Sequence, residues 1–290
     1  PVRLARQDPP LIPMPRDDDT LPLFVAGVAL VTGAVAWALW PRQAEASAMP
    51  PRSYVPPSPR APSEAPVSMP AFLAAAPPAG AARERYCEAA VDAPTFVRIP
   101  LGQGVEVAVS TDYLTAQGVH IPLWPSTAQR IADRFDAILP TKALVDAIWR
   151  AAVVKIEPHP MNYRPLAGDD VRIIAQHEAI VDSQVTGREG LRDGGFKSIV
   201  VGRTLATPAG AGKVCIFGWH RANGVPIQPV YCSHSARFSD YSHGTRLVSR
   251  TAYLNGQPVA IESLFADPRY APLLNESGTL TPAMLAYPRS

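Results

Sequence analysis

The chain has 290 residues, with 27 basic against 25 acidic side chains and a formal net charge of +2; so even a balance excludes a nucleic-acid binder, which needs a basic face or stripe. A hydrophobic fraction of 47% is enough to build a core and excludes a wholly disordered chain. The 33 prolines and the low charged fraction of 18% come mostly from the first third, which sets that third apart.

Residues 1–20 read as an N-terminal tail with Arg3, Arg6 and Arg16 ahead of Asp17, Asp18 and Asp19. Pro1 is what removal of an initiator methionine would leave. Leu21 to Trp40 then run without a charge; at 1.5 Å per residue this is roughly 30 Å, the thickness of a bilayer's hydrocarbon core. The run predicts a single transmembrane helix over residues 21–40. Gly27 and Gly33 are tolerated there, and Trp37 and Trp40 suit the headgroup level. Ala46-Ser47-Ala48 has the look of a signal-peptide cleavage site, but the apolar run is too long and its flank too acidic, so an uncleaved anchor is expected. Three arginines before the span, against Arg42 and Arg52 after it, put the N-terminus inside and the rest outside the cytoplasm. The expected location is the inner (cytoplasmic) membrane, with the lipid bilayer as first partner and the C-terminal domain periplasmic.

Residues 41–84 are proline-rich among Ala and Ser, and proline removes the backbone donor that helices and sheet interiors need. As polyproline II, at ~3.1 Å per residue, such a linker reaches on the order of 100 Å. It is expected to be a passive linker, a spacer holding the domain away from the bilayer, or a strap along other subunits of a membrane complex.

From Arg85 to Ser290 the composition becomes that of one globular domain. Val105 to Val109 alternates at period 2 and predicts a strand. Ser126 or Thr127 caps a helix through Ile138, Pro140-Thr141 interrupts, and a second helix runs Lys142 to Ala152. Further strands are predicted over Val171–Ile180, Phe196–Val201, Lys213–Trp219, Val225–Val230 and Arg246–Tyr253, with turns at Asn223-Gly224 and Asn255-Gly256. Glu262 to Phe265 is a short helical piece. Two early helices and late strands give α+β with a mainly antiparallel sheet. The three cysteines, Cys87, Cys215 and Cys232, are no disulfide scaffold. Cys215 reads as a small buried apolar residue, and outside the cytoplasm one bridge is open to the chain, Cys215–Cys232 being the nearer pair.

Chemistry-bearing residues concentrate between Trp219 and Arg246. His220, His234 and His243 stand there with Asp240 and Ser242, and imidazole both exchanges protons near neutral pH and binds metals. Three arrangements are open. Ser242 or Ser233 attacks with a histidine as base and Asp240 as orienter; His220, His234 and His243 or Asp240 hold a divalent metal such as zinc; or Cys232 acts as a thiolate beside His234. Trp219, Tyr241 and Arg246 are the binding candidates in this stretch, Arg246 for an anionic group. Gly244 would allow a close backbone approach to a ligand. His177-Glu178 and Lys197 lie on predicted strands and can point into the same pocket. His120 and His159 read as loop residues, and Asp169-Asp170 as a turn.

Ser242-His243-Gly244-Thr245-Arg246-Leu247 resembles the Ser-His-Gly-Cys-x-Arg-Leu signature of L,D-transpeptidases, which cross-link peptidoglycan outside the cytoplasm. Thr245 stands where that family has its catalytic cysteine, and one residue is missing before Arg246, so the family's chemistry does not carry over. The longer pattern of Gly218-Trp219-His220 with Asp240-Tyr241-Ser242-His243-Gly244 is similar to an uncharacterised bacterial family and implies no activity. Two functions are therefore expected side by side. One is an extracytoplasmic hydrolase or transferase acting on a peptide-like or cell-wall substrate. The other is a non-catalytic accessory subunit docked by its membrane helix and proline-rich strap.

Overall fold

The computed structural model describes residues 69–290; the N-terminal tail, the Leu21–Trp40 span and the tether up to residue 68 lie outside them. Among the described residues no helix is long and apolar enough to cross a membrane. Helices α1 (Met69–Ala75) and α2 (Gly80–Ala90) lead into the hairpin β1 (Phe96–Gly102) and β2 (Val105–Ser110), then the ribbon β3 (Thr115–Ala116) and β4 (Val119–His120). Next come α3 (Pro125–Arg134), β5 (Ala137–Ile138), α4 (Lys142–Ala151), β6 (Val154–Lys155) and α5 (Val171–Val185). The strands β7 (Arg192–Asp193), β8 (Lys197–Ile199), β9 (Lys213–His220), β10 (Pro226–Ser235) and β11 (His243–Gly244) follow. The chain closes with β12 (Val248–Leu254), β13 (Gln257–Ala260), α6 (Ile261–Ala266) and α7 (Ala271–Leu274).

The class is α+β with mainly antiparallel sheets. One sheet has the order β1-β2-β12-β13 with β5 added to β12; the other has the order β10-β9-β8-β11. Only the last pair of that second sheet, β8 with β11, is parallel. Val105, Val107 and Val109 turn inward, as period 2 requires, and meet Ile131, Leu144, Ile148 and Phe265 from α3, α4 and α6 in the main core. Thr141 caps α4 by accepting from the Leu144 N–H at 3.3 Å.

Three expectations are corrected. The first predicted helix does not reach Ile138: Asp136 takes φ +50°, the helix ends at Arg134, and Ala137–Ile138 pairs with Val248 and Ser249 instead. Val171–Ile180 is no strand but the start of α5, capped by Asp170, which accepts from the Arg172 N–H at 2.9 Å. Its buried positions Val171, Ile174, Glu178, Val181 and Val185 recur at the 3.6-residue helical period. Residues 69–84, taken from sequence as the end of the tether, hold α1 and most of the first half of α2. Phe72 is wholly buried in the core, and Arg83 is as fully enclosed.

Cys215 and Cys232 form a disulfide across β9 and β10, while Cys87 is a buried free thiol whose pKa burial pushes up to about 12. A bridge spanning 17 positions constrains the unfolded chain, and loops of this size are worth about 3 kcal/mol. The Cys215→Ala/Cys232→Ala double variant should lose about that much in a urea titration. A loss indistinguishable from zero would mean the bridge does not form in the protein.

Candidate functional site

The site lies where the loop after β10 meets the parallel pair β8–β11, and Asp240 is its centre. Ser242 donates twice to Asp240 Oδ1, through its N–H at 2.9 Å and its hydroxyl at 2.5 Å. Lys197, on β8, places Nζ 3.6 Å from Asp240 Oδ2 and 4.8 Å from the centre of the Trp219 ring. The parallel register sets His243 beside Lys197. Gly218 and Trp219 both take positive φ at the end of β9, +112° and +58°, which turns the strand there. The Phe238 ring lies 5.7 Å from His243 and stacks on His234 at 4.2 Å. From α5, His177 packs on Tyr241 at 5.0 Å, and the Tyr241 hydroxyl accepts from the Met161 N–H at 2.5 Å.

Electrostatics divide the groups cleanly. Burial pushes His243 down to about 4, against the pull of Asp240, and pushes His177 down to about 3, so both imidazoles are neutral at pH 7. Burial alone would raise Asp240, yet Lys197 and the two Ser242 donors hold it below the ordinary carboxylate range. The cluster therefore combines a carboxylate, an ammonium and neutral bases in one place. His243 is 1% exposed, and neither of its ring nitrogens has a protein partner among the described residues. The Trp219 indole N–H is likewise unpartnered. Buried polar atoms in native proteins nearly always find a partner, and both His243 ring nitrogens are left uncommitted by the described fold.

The structure thus gathers His177, Lys197, Trp219, His234, Asp240, Tyr241, Ser242 and His243, and leaves out two predicted members. His220 is buried elsewhere, hydrogen bonded through Nε2 to Asp146 Oδ1 at 3.0 Å and stacked on Trp149. Arg246 cannot hold a ligand: it is 1% exposed and gives its N–H groups to Ser110 O at 2.8 Å, Arg192 O at 2.5 Å and Asp193 at 3.3 Å. The Ser242, three-histidine and Cys232 arrangements read from sequence are not assembled. The Ser242 hydroxyl is committed to Asp240 rather than to a histidine, and Cys232 is locked in its disulfide. With His220 on Asp146 the three-histidine ligand set is broken, and among the described residues no three His, Cys, Asp or Glu side chains gather to hold a metal ion. Gly244 makes room for protein rather than ligand, since a Cβ there would stand 2.5 Å from the Tyr113 ring and 2.7 Å from Phe196.

Several supporting residues were missed. His120, read as a loop residue, is buried between Glu178, at 2.9 Å, and Asp112, at 3.2 Å. Burial would depress its pKa, but the two carboxylates prevail and raise it to about 10. Glu178 is turned inward because α5 is a helix. Arg83 holds the site loop through Ser239 Oγ at 3.1 Å while also binding Glu84 and Asp169. Gly168 accepts from the Tyr241 N–H at 2.8 Å and leaves Asp240 its space, since an added Cβ would come within 2.9 Å of the Asp240 Cβ. Asp240 and Tyr241 are close in sequence to the signal that found them, whereas Arg83 and Gly168 carry no local pattern at all.

No protein-family model, curated protein or solved structure matches this chain.

Two measurements follow from these contacts. Arg246→Ala leaves Asp193 buried without its cation, so the domain should lose about 3–5 kcal/mol of stability, and Arg246→Lys should recover little of it, having no fork for three acceptors. A near-native unfolding midpoint for Arg246→Ala would contradict the buried role. For pH, His243 and His177 bind protons more readily unfolded than folded, so stability should fall as pH drops from ~6.5 toward about 4. His120 acts in the opposite sense: its contribution is complete below the unfolded value of ~6.5 and is lost as pH rises toward about 10. Urea midpoints measured across this range should therefore peak near neutrality, and His120→Gln should flatten the alkaline limb.

Proposed function

We propose that the chain is a single-pass protein of the cytoplasmic membrane whose folded part works on the extracytoplasmic side as a hydrolase or transferase on a peptide-like or cell-wall substrate. The Cys215–Cys232 bridge supports that side of the membrane, because disulfides persist in oxidising compartments. The charge-free run from Leu21 to Trp40 supports the anchor.

The observation that carries the catalytic reading is His243. His120 and His220 are also buried, and each is tied to a carboxylate, as a structural histidine should be. His243 is tied to none by hydrogen bond, is kept neutral by burial, and stands in a cluster with Asp240 and Lys197. A neutral imidazole with both nitrogens uncommitted is free to take a proton as a general base, and the Asp240 carboxylate beside it favours the imidazolium that forms. With no side-chain nucleophile poised, water is the attacking group in the hydrolytic form. Its oxygen bonds to the substrate carbonyl carbon while His243 takes its proton, Lys197 faces the developing oxyanion, and the C–N bond then breaks as the proton passes to the leaving amine.

A second reading, the non-catalytic accessory subunit, is favoured by one feature. Thr245, at the position of the transpeptidase-like cysteine, is wholly buried with its hydroxyl unpartnered among the described residues, so the enzyme-like stretch lacks that nucleophile. The full chain in detergent, incubated with purified peptidoglycan sacculi, separates the two. Chromatography should show soluble muropeptides released or rearranged, and His243→Ala should lower the rate by about 10²-fold or more while circular dichroism reports an intact fold. Undiminished turnover in that variant removes His243 from the mechanism. Inert wild-type protein that copurifies with fixed partners after gentle extraction supports the accessory subunit.

A further inference from the structure

A second feature stands apart from the His243 cluster. Between α2, the first turn of α3, the open end of the β9–β10 pair and the C-terminal segment lies a cavity of about 350 Å³. No side chain of the His243 cluster lines it. Three cations from three separate segments do: Arg85 on α2, Lys213 at the start of β9 and Arg237 just after β10. None of the three has an ion-pair partner among the described residues. The other charged side chains in the wall are already matched. Arg130 is held at two points by Glu88, at 2.9 and 2.7 Å, and Glu84 by Arg83 at 2.8 Å. Ser290 stands at the rim, and Trp124, Leu205 and Tyr287 supply an apolar wall.

Arg85 and Arg237 are exposed and Lys213 is half-buried, so among the described residues these three charges face the cavity mouth and water rather than an acidic partner. An anion would offset them. A single carboxylate is satisfied by one cation, whereas a phosphoryl group presents about two charges and three acceptor oxygens, enough for three separate donors. The volume, at the lower end of small-molecule pockets of roughly 300–1,000 Å³, admits more than a bare ion, and the Trp124 and Tyr287 rings offer it an apolar surface. We propose that this cavity binds the phosphate monoester of a small organic molecule, with Arg85, Lys213 and Arg237 on the phosphoryl group. The chemistry is the same whether the phosphate belongs to a soluble metabolite or to the headgroup of a short phosphatidic acid.

The test is calorimetry on the full chain in detergent, with glycerol 3-phosphate and dihexanoyl phosphatidic acid as probes and acetate as control. Either phosphate should bind and acetate should not; which of the two binds more tightly identifies the source. The Arg85→Gln/Lys213→Gln/Arg237→Gln triple variant should weaken binding at least about tenfold, with circular dichroism and thermal midpoint reporting an intact fold. Ala236→Trp, which fills the cavity and keeps all three charges, should abolish binding too. His243→Ala should bind as the wild type does, so this site and the proposed reaction stand or fall separately. Equal affinity in the wild type and the triple variant, or no heat from the wild type with either phosphate up to ~10 mM, overturns the proposal.

Discussion

The guanidinium of Arg246 ties the end of β2 to β7 at the point where the chain passes between the two main sheets. The chain leaves the second sheet at β11 and enters the first at β12, and Arg246 sits in the link between them. Its fork reaches the carbonyl of Ser110 at the end of β2, the carbonyl of Arg192 on β7 and the Asp193 carboxylate, while its face lies 4.1 Å from the Tyr113 ring. Tyr113 in turn hydrogen bonds to Asp193 and packs on Phe196 and Gly244. A charge this deep is costly unless its donors are matched, and the two terminal nitrogens of the fork draw on acceptors from two separate parts of the chain. That requirement fixes the passage between sheets and, through Gly244, the position of His243.

The buried histidines show two uses of one side chain. His120 lies between two carboxylates and is charged, and His220 bonds Asp146; both are fastened by acids that arrive from distant segments. His243 and His177 lie against aromatic rings, where desolvation keeps them neutral. Asp240 remains ionised between them because Lys197 and Ser242 supply the compensation that water otherwise would. The site is thus set up by what surrounds each imidazole rather than by the number of histidines in the sequence.

Much of the fold was legible wherever a local rule dominates. The alternation in Val105–Val109, the helix starting at Lys142 and the Asn255-Gly256 turn, with positive φ at both residues, all follow from short-range chemistry. The expected Ser126 or Thr127 cap does not form, since α3 starts at Pro125 behind Trp124. The helix α5 was misread because its first ten residues are rich in β-branched and apolar side chains. Its helical stripe becomes plain only when Val181 and Val185 are counted. The two-residue strands β5, β7 and β11 have no local signature; each exists because a partner strand happens to lie alongside. Proline content sets the N-terminal third apart by composition, but it conceals the point where packing begins, since Phe72 is already in the core.

By itself, the sequence determined the α+β class, the crowding of histidines between Trp219 and Arg246, and the adjacency of Asp240, Ser242 and His243, because those are properties of composition and near neighbours. Tertiary structure alone decided that His220 belongs to Asp146, that Arg246 is a buried clamp, that Lys197 faces Asp240, and that His177 packs on Tyr241. The reason is physical. Which charge is desolvated, and which partner offsets it, depends on residues far apart in the chain, and no window of neighbouring letters contains both.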